Sequence, residues 1–434
     1  MSSTILLPVA QSARRRIACR LLPFLWLLYV IAFLDRVNVA YAALEMSHDL
    51  GFSDRVFGLG AGIFFIGYVL LEIPGAVIVE RWSARRWIAR IMVSWGLITI
   101  LVAFVHTAAQ FYTARFLLGA AEAGFFPGVI VYLTHWFRAE DRSKAIAAFL
   151  TAIPLSNIIG SPLAGKILQV HWYGLEGWRW LFILEGIPAI ILGFVTLFYL
   201  TDRPGQARWL PTDESEWITG ELTREKERKT AVRSYSIWQA LRHRDVLVLT
   251  MTYFLGGTGL YGFTIWFPTI LKRASGFSTM TVTLLASLPY IAALLAILIN
   301  GWHSDRTRER RWHSAVPLFI ASSALLLAIK SSPHIWIQLS FFVLFAACVH
   351  GYQPSFWALP STILSESAAA ASIGLINSVG NLGGFVGPMV MGYLAHRTHS
   401  FSAGLLYLVA SLFVSGGLML AVGRQVPVGQ VSPS

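Results

Sequence analysis

Residues 21–41 read Leu21-Leu-Pro-Phe-Leu-Trp-Leu-Leu-Tyr-Val-Ile-Ala-Phe-Leu-Asp35-Arg36-Val-Asn-Val-Ala-Tyr41. The run is long enough to cross a bilayer as a helix, yet Asp35 and Arg36 stand inside it. A charged side chain at the centre of a membrane costs about 2.5–3.5 kcal/mol on insertion scales, so such residues face a partner or a water-filled path. The run therefore predicts a membrane protein with a polar cavity inside it.

The composition of the whole chain agrees with a membrane location. Of the 434 residues, 56% are hydrophobic and only 13% are charged, whereas soluble chains carry about 25% charged residues. The formal net charge of +12 would suggest nucleic acid as a partner of a soluble protein. Because the basic residues cluster in short segments between apolar runs, membrane topology explains them better, and we expect no nucleic-acid partner.

Motifs of metal sites and enzymes are missing from the sequence. Cys19 and Cys348 form neither a disulfide framework nor a metal-ligand spacing,. The sequence also contains no phosphate-binding loop and no nucleophile–base motif. We therefore expect a protein that is not an enzyme and that uses no metal and no cofactor.

Apolar runs of about 20 residues recur along the chain, a length that crosses about 30 Å of hydrocarbon as a helix. Twelve transmembrane spans are predicted in two sets of six, at 20–43, 55–79, 87–107, 111–137, 143–168, 179–200, 245–271, 279–301, 314–331, 335–360, 368–394 and 401–422. The fold class is thus an all-α membrane protein with two six-helix bundles. We expect the bundles at 1–200 and 244–434, with the polar segment 201–243 as a cytoplasmic linker that carries a surface helix.

Several prolines lie inside these apolar runs. Proline lacks a backbone N–H and clashes with the preceding helical turn, so it kinks a helix. Kinks are predicted at Pro74, Pro127, Pro154, Pro162 and Pro388.

Lysine and arginine set the orientation of membrane spans, because they concentrate in cytoplasmic loops. Basic clusters precede span one and follow spans two, four and eight, so an even number of spans separates them. The clusters are Arg14–Arg16, Arg81–Arg86, Arg138–Lys144 and Arg306–Arg311. Both termini are therefore predicted in the cytoplasm, with the chain crossing the cell inner (plasma) membrane many times.

An acid–base pair followed by a basic cluster occurs twice at this cytoplasmic position. Glu80-Arg81 follows span two, and Asp305-Arg306 follows span eight. Together with the two sets of six spans, these segments resemble the signature loops of the major facilitator superfamily. The resemblance implies two bundles that rock about a central site, with both pairs acting in gating.

Four further motifs resemble the anion:cation symporter family of that superfamily. They are Asp35-Arg36-Val-Asn38-Val-Ala, Arg115-Phe-Leu-Leu-Gly-Ala-Ala-Glu122-Ala-Gly-Phe-Phe-Pro-Gly128, Leu184-Glu185-Gly-Ile-Pro188 and Asn377-Ser-Val-Gly-Asn381-Leu-Gly-Gly-Phe-Val-Gly-Pro388. The resemblance implies import of a small organic anion, such as a sugar acid, a tartrate-like hydroxy acid or an aromatic carboxylate, with protons. It also implies a monomer in the lipid bilayer.

The resemblance further implies that spans one and four line a central cavity. Arg115 and Glu122 are seven residues apart, so they face nearly the same direction on one helix. Arg36 or Arg115 would bind the anion, because a guanidinium offers a planar fork that matches a carboxylate. Asp35 and Glu122 are the candidate proton carriers, and unprotonated Glu122 is expected to pair with Arg115 and repel the anion. The alternative is that these charges form static buried ion pairs that stabilise the bundle.

Other intramembrane polar residues suit a substrate with hydroxyl groups. The candidate substrate-binding residues of this kind are Tyr41, Asn157, Tyr261, Gln353, Asn377 and Asn381. Hydrogen bonding between helices is the alternative role, and it contributes about 0.6 kcal/mol on average. Sodium coupling stays possible, since Asp35, Asn38 and Asn381 offer oxygen ligands. Glu185 is expected near the outward interface, with a structural role.

Two other functions are alternatives to anion import. A drug effluxer of the same fold often carries a Gly-Pro signature on span five, and Gly160-Ser-Pro162 matches it only in part. Two cavity arginines also suit an anion better than a lipophilic cation. A membrane receptor that binds without translocating its ligand would be expected to carry a large soluble signalling domain, which the sequence lacks.

Overall fold

The computed structural model of the chain describes residues 3–230, 243–332, 334–363 and 366–423. Within these ranges the side chains of residues 3–7, 73, 76, 77, 80, 81, 226, 228–230, 361–363 and 366–371 are not described. Regular secondary structure in the described ranges is helical throughout, which confirms the predicted all-α class. Eleven helical segments of the described part are long and apolar enough to cross a membrane.

The helices follow the order of the predicted spans, although α1 extends beyond its predicted span of 20–43 at both ends. The first nine helices are α1 (Ser3–Asp49), α2 (Asp54–Arg81), α3 (Ala84–Val102), α4 (Ala108–Glu122), α5 (Phe125–Thr134), α6 (Ala139–Leu150), α7 (Ala152–Ile167), α8 (Gly177–Tyr199) and α9 (Thr212–Thr230). The next nine described helices are α10 (Arg244–Ser275), α11 (Thr279–Leu285), α12 (Leu288–Thr307), α13 (Arg311–Lys330), α14 (Ile335–Gly351), α15 (Gln353–Ile363), α16 (Glu366–Asn381), α17 (Gly383–Thr398) and α18 (Ser402–Ala421).

The predicted third span differs from the others in composition. It forms α3, which at 19 residues is about as long as a bilayer is thick,. Arg85, Arg86 and Arg90 occupy its first two turns, and this charge keeps α3 out of the eleven apolar segments. Arginines at the cytoplasmic end of a helix reach the interface with their long side chains, so the charge is compatible with a twelfth span.

Several predicted spans consist of two helices, and in four of them the break lies one turn before a proline. A proline cannot donate to the carbonyl four residues earlier, so the helix ends near that carbonyl. The prolines and the matching carbonyl residues are Pro127 with Ala123, Pro154 with Leu150, Pro289 with Leu285 and Pro354 with His350. Kinks were predicted at Pro127 and Pro154, where the helix breaks, and at Pro74, Pro162 and Pro388, which lie inside helices that continue through them.

The chain divides into two compact units. The first unit comprises Met1–Glu45 and Ile66–Val232, and the second comprises Met46–Phe65 and Arg233–Ser434. The first part of α2 thus groups with the second unit. The bundle boundaries predicted from the linker at 201–243 stay a prediction.

In the first unit, α3 packs along α8 and also contacts α4 and α5. Gly96 of α3 and Gly186 of α8 make this approach possible, because a Cβ on either would lie 2.7 Å from the backbone oxygen of the other. Small residues let membrane helices pack closely in this way. The contact brings Thr99, one turn after Gly96, and Glu185, next to Gly186, into the interior of the unit.

Two glycines bring the second part of α2 against α4 and α5. A Cβ on Gly67 would lie 3.0 Å from the backbone nitrogen of Ala120, and one on Gly75 would lie 3.1 Å from the Cα of Gly124. Any larger residue would force these helices apart. The two residues that α2 carries between these contact points, Tyr68 and Glu72, are buried.

In the second unit, α10 packs against α16, α17 and α18, while α13 packs against α14 and α18. Trp266 of α10 is buried and donates from Nε1 to the carbonyl oxygen of Pro388 on α17 at 3.0 Å. Such a bond satisfies the indole N–H inside an apolar interface.

The predicted surface helix of the linker is α9. Its acidic residues bind basic and polar groups of the first unit: Glu214 accepts from Ser12 at 2.6 Å and pairs with Arg16 at 3.0 Å, and Glu225 pairs with Arg142 at 3.0 Å. Because the polar partners belong to the N-terminal end of α1 and to α6, the helix is docked on one end of the unit. This end carries the basic clusters that are predicted to be cytoplasmic.

Candidate functional site

The middle of α1 carries the first carboxylate of the candidate site. Asp35 is only 1% exposed, and burying a carboxylate is costly unless polar groups surround it. Two neighbours supply these groups: Thr99 of α3 donates to Oδ2 at 3.0 Å, and Asn38 donates from Nδ2 to Oδ1 at 2.9 Å. Both oxygens of Asp35 are therefore hydrogen-bonded inside the unit.

The neighbouring residue on α1 forms an ion pair with α4. The Arg36 guanidinium donates from Nη2 to Oε1 of Glu122. The side chain of Glu122 is 2% exposed and that of Arg36 is 13% exposed, so the pair is largely shielded from solvent. The guanidinium also lies 5.0 Å from the ring centroid of Phe33 and 5.1 Å from that of Tyr68, and such cation–π contacts hold its plane in place.

Arg115 completes the group of four charges. It is 1% exposed on α4 and interacts electrostatically with Asp35 and Glu122. The prediction that Glu122 pairs with Arg115 was wrong, since the ion pair joins Glu122 to Arg36. Arg115 lies about 10 Å before Glu122 along the helix axis, whereas Arg36 reaches Glu122 directly from α1.

We call Asp35, Arg36, Arg115 and Glu122 the charge cluster. The sequence predicted that these residues meet, and the structure places all four in the interior of the first unit. Two arginines and two carboxylates give the charge cluster a formal net charge of zero when both acids are ionised. A buried group of this kind tolerates one added negative charge only if a positive charge enters with it, because an uncompensated buried charge costs several kcal/mol.

A break in the predicted fourth span lies directly beside the charge cluster. Glu122 is the last residue of α4, and Gly124 adopts φ +85° before α5 begins. Glycine takes this left-handed conformation without the steric cost that a side chain would add. Because the last carbonyls of a helix lack intrahelical partners, Glu122 stands at the negative end of the α4 dipole, where Arg36 compensates its charge.

Residues that the sequence analysis left outside the site also join the charge cluster. Glu185 of α8 was expected near the outward interface, but it is 7% exposed and interacts with Asn38 and Asp35. Tyr68 of α2 lies over Arg36 and interacts electrostatically with Glu72. The glycines Gly96 and Gly186, which fix α3 on α8, were the available sequence signal for Glu185.

The remaining candidate residues of the first unit, Tyr41 and Asn157, are both buried. Tyr41 is buried on α1. Asn157 of α7 is also buried, and it donates from Nδ2 to the carbonyl oxygen of Ile153 in its own helix at 2.9 Å. Its Oδ1 has no hydrogen-bond partner among the described residues, so it offers an acceptor in the interior.

The candidates of the second unit lie on α10, α15 and α16. Tyr261 is half-buried, with its ring centroid 4.6 Å from that of Phe65. Gln353 begins α15, and Asn377 and Asn381 lie one turn apart on α16, hence on one face. All three are half-buried. Their part in substrate binding stays a prediction.

The predicted gating pairs are only partly visible. The side chains of Glu80 and Arg81, at the end of α2, lie outside the described residues. Asp305 pairs with Arg310 at 2.6 Å, while the guanidinium of Arg306 lies 5.4 Å from the ring centroid of Trp302. Asp305 is thus paired with Arg310. The gating role of both acid–base pairs stays a prediction.

Comparisons with known proteins relate the sequence and the fold of this chain to a family of transporters. The sequence model of the Major Facilitator Superfamily matches residues 25–388. A putative tartrate transporter of Agrobacterium vitis is 44% identical and aligns over 96% of this chain and 97% of its own. A quinolone resistance transporter of Acinetobacter baumannii is 37% identical over 94% of this chain and 93% of its own. A crystal structure of a bacterial homolog of the human lysosomal transporter Spinster, inward-facing and occupied, matches with a TM-score of 0.76 at 17% identity, covering 95% of this chain and 98% of that one.

Proposed function

Because the chain belongs to the major facilitator superfamily and is a membrane transporter rather than an enzyme, we propose that it imports a small organic anion together with protons by alternating access. This membership confirms the resemblance to the major facilitator superfamily that the sequence motifs indicated. The observation that carries the finer proposal is the buried charge cluster of two arginines and two carboxylates. Ionisable residues inside a membrane protein mark substrate and proton pathways.

The arginines suit the anion. A guanidinium stays protonated and offers a planar fork that binds a carboxylate through two parallel hydrogen bonds. Arg36 already makes such a charge-assisted bond, to Glu122. Replacing this internal carboxylate by that of a substrate changes little in the surroundings of the guanidinium. Arg115 supplies the second positive charge from α4.

The carboxylates suit proton coupling. When Glu122 takes up a proton, its attraction for Arg36 falls, and the guanidinium becomes available to the substrate. The proton cancels the charge of one substrate carboxylate, so a charge cluster loaded with a monocarboxylate returns to its net charge of zero, and a dicarboxylate such as tartrate needs a second proton. Release of the anion and its protons on the cytoplasmic side restores the ion pair. Asp35 is the second proton carrier, next to Arg115 and bonded to Thr99.

The substrate class follows from chemistry and from relatives. A relative that shares 44% of its residues over nearly the whole chain is named as a putative tartrate transporter. Tartrate-like hydroxy acids, sugar acids and aromatic carboxylates all present a carboxylate to arginine, and the amides Asn157, Asn377 and Asn381 suit hydroxyl groups. Uptake in a sodium-free buffer tests whether sodium, rather than the proton, is the coupling ion.

Drug efflux is the second candidate function. The relative named as a quinolone resistance transporter favours it, at 37% identity. The buried arginines favour an anionic substrate for either direction, so direction is the property that separates the two candidates. We place the protein in the inner (plasma) membrane with both termini in the cytoplasm because of the lysine and arginine bias, and we propose a monomer because the family resemblance implies one.

The test uses purified protein in proteoliposomes with an acidic exterior and a sodium-free buffer. We expect accumulation of tartrate or another hydroxy acid above its external concentration, and loss of this accumulation when a proton ionophore is added. Radiolabelled sugar acids and benzoate-type acids are compared in the same assay. Accumulation that is unchanged by the ionophore would contradict the proposed import. Proton-driven export of a quinolone without uptake of any acid would also contradict it.

A further inference from the structure

We propose that Glu185 is a third proton-carrying residue, which passes protons between the outward side of the membrane and Asp35. This inference rests on the proposed function, because it extends the same site. It assigns a step in transport to a carboxylate that the sequence analysis expected to be structural.

The position of Glu185 fits such a relay. It lies eight residues after Gly177, the first residue of α8, which corresponds to about 12 Å along the helix axis. The predicted topology puts the beginning of α8 on the outward side. The side chain is 7% exposed, so it stands below the surface, between the outward end of α8 and the charge cluster.

One amide joins the two carboxylates. Asn38 lies one turn after Asp35 on α1 and donates to Oδ1 of Asp35 at 2.9 Å. The same side chain also interacts with the carboxylate of Glu185. The amide Oδ1 and the Glu185 Oε2 are buried without a hydrogen-bond partner among the described residues. Both atoms can accept a hydrogen bond from a water molecule, and the relay requires such a water between Glu185 and the Asp35 carboxylate.

The charges around Glu185 favour a proton-bearing acid. On its own helix, Arg179 donates to the carbonyl oxygen of Ala103 at 2.6 Å. On α7, Lys166 is exposed, and α3 carries its arginines in its first two turns, at the opposite end from Thr99. Among the described residues no ion pair includes Glu185, and a buried carboxylate without a cation is costly as an anion.

The proposed step moves one proton and leaves the relay unchanged. Protonated Glu185 gives its proton to a bridging water, which gives one of its own to the carboxylate of Asp35. One O–H bond breaks on Glu185 and one forms on Asp35. Glu185 then takes a new proton from water on the outward side.

The test compares Glu185→Gln with wild-type protein in proteoliposomes. The amide keeps the size and a hydrogen-bonding oxygen but carries no exchangeable acid proton. We expect the initial rate of proton-driven uptake to fall by about 100-fold, the lower end of what a positioned proton donor contributes. Counterflow exchange of substrate at equal pH is expected to stay near the wild-type rate, because loaded protein exchanges substrate without releasing protons. Glu185→Asp is expected to restore part of the driven rate.

Glu176→Gln is the matched control, because Glu176 precedes α8 on the outward side but is exposed. It is expected to leave uptake unchanged. A Glu185→Gln variant with the driven rate and pH profile of the wild type would overturn the relay, and so would one that loses counterflow and driven uptake equally. If the wild type itself shows no proton-driven uptake, the proposed function fails rather than the relay alone.

Discussion

Glu122→Gln is expected to abolish proton-driven accumulation while keeping substrate exchange. Glutamine retains the carbonyl oxygen that accepts from Arg36, so the site keeps its shape. It neither binds nor releases the coupling proton, and its neutral amide resembles the protonated, loading-competent state. In proteoliposomes without a membrane potential, the ratio of internal to external substrate is therefore expected to settle at about one, because no coupled proton drives the anion beyond equal concentrations on the two sides. Counterflow is expected to continue.

The control is Glu214→Gln on α9. Glu214 is also a buried carboxylate paired with an arginine, Arg16 at 3.0 Å, but it lies at the end of the unit away from the charge cluster. Accumulation by this variant is expected to equal that of the wild type. If Glu122→Gln accumulates substrate as the wild type does, the proton site lies elsewhere.

Arg115→Ala is expected to weaken anion binding by about 100-fold or more, since removing one partner of a buried charge pair costs about 2–5 kcal/mol and each 1.4 kcal/mol is tenfold in affinity. The substitution removes one of the two positive charges of the charge cluster, so Arg36 is the remaining cation beside Asp35 and Glu122. Two carboxylates then repel the incoming anion. Substrate-induced thermal stabilisation of purified protein measures the affinity.

Arg115→Lys distinguishes a loss of binding from a loss of folding, because lysine keeps the positive charge and loses only the planar fork. It is expected to fold and to bind with affinity between those of the wild type and the alanine variant. Arg179→Lys is the matched control, as Arg179 is a buried arginine at the outward end of α8 that binds a backbone carbonyl. Near-normal affinity in Arg115→Ala would remove that residue from the binding site.

The sequence predicted the membrane fold and the members of the charge cluster, because both depend on one-dimensional patterns. Charge inside an apolar run reveals buried polar sites, and a seven-residue spacing reveals a shared helix face. The pairing partner of Glu122 could not be predicted in this way. Helical periodicity gives the direction of a side chain but not its distance from the neighbouring helix, and it is Arg36 of α1 that pairs with Glu122.

The break between α4 and α5 was only partly predicted from the sequence. Pro127 was predicted to kink the span, and Gly124 with φ +85° turns that kink into a helix end beside Glu122. Burial of Glu185 depends instead on the close packing of α3 and α8 through Gly96 and Gly186. That contact joins two distant segments, so Gly186 beside Glu185 signals a close approach without showing which helix makes it.

The central claim is that one organic anion enters the charge cluster together with a proton. Proteoliposomes in weakly buffered medium with an external pH dye measure this directly, without any imposed gradient. The account predicts that adding the substrate makes the exterior more alkaline in the wild type, and that Glu122→Gln takes up labelled substrate without this change. A wild type that takes up the acid while the external pH stays constant would contradict the account.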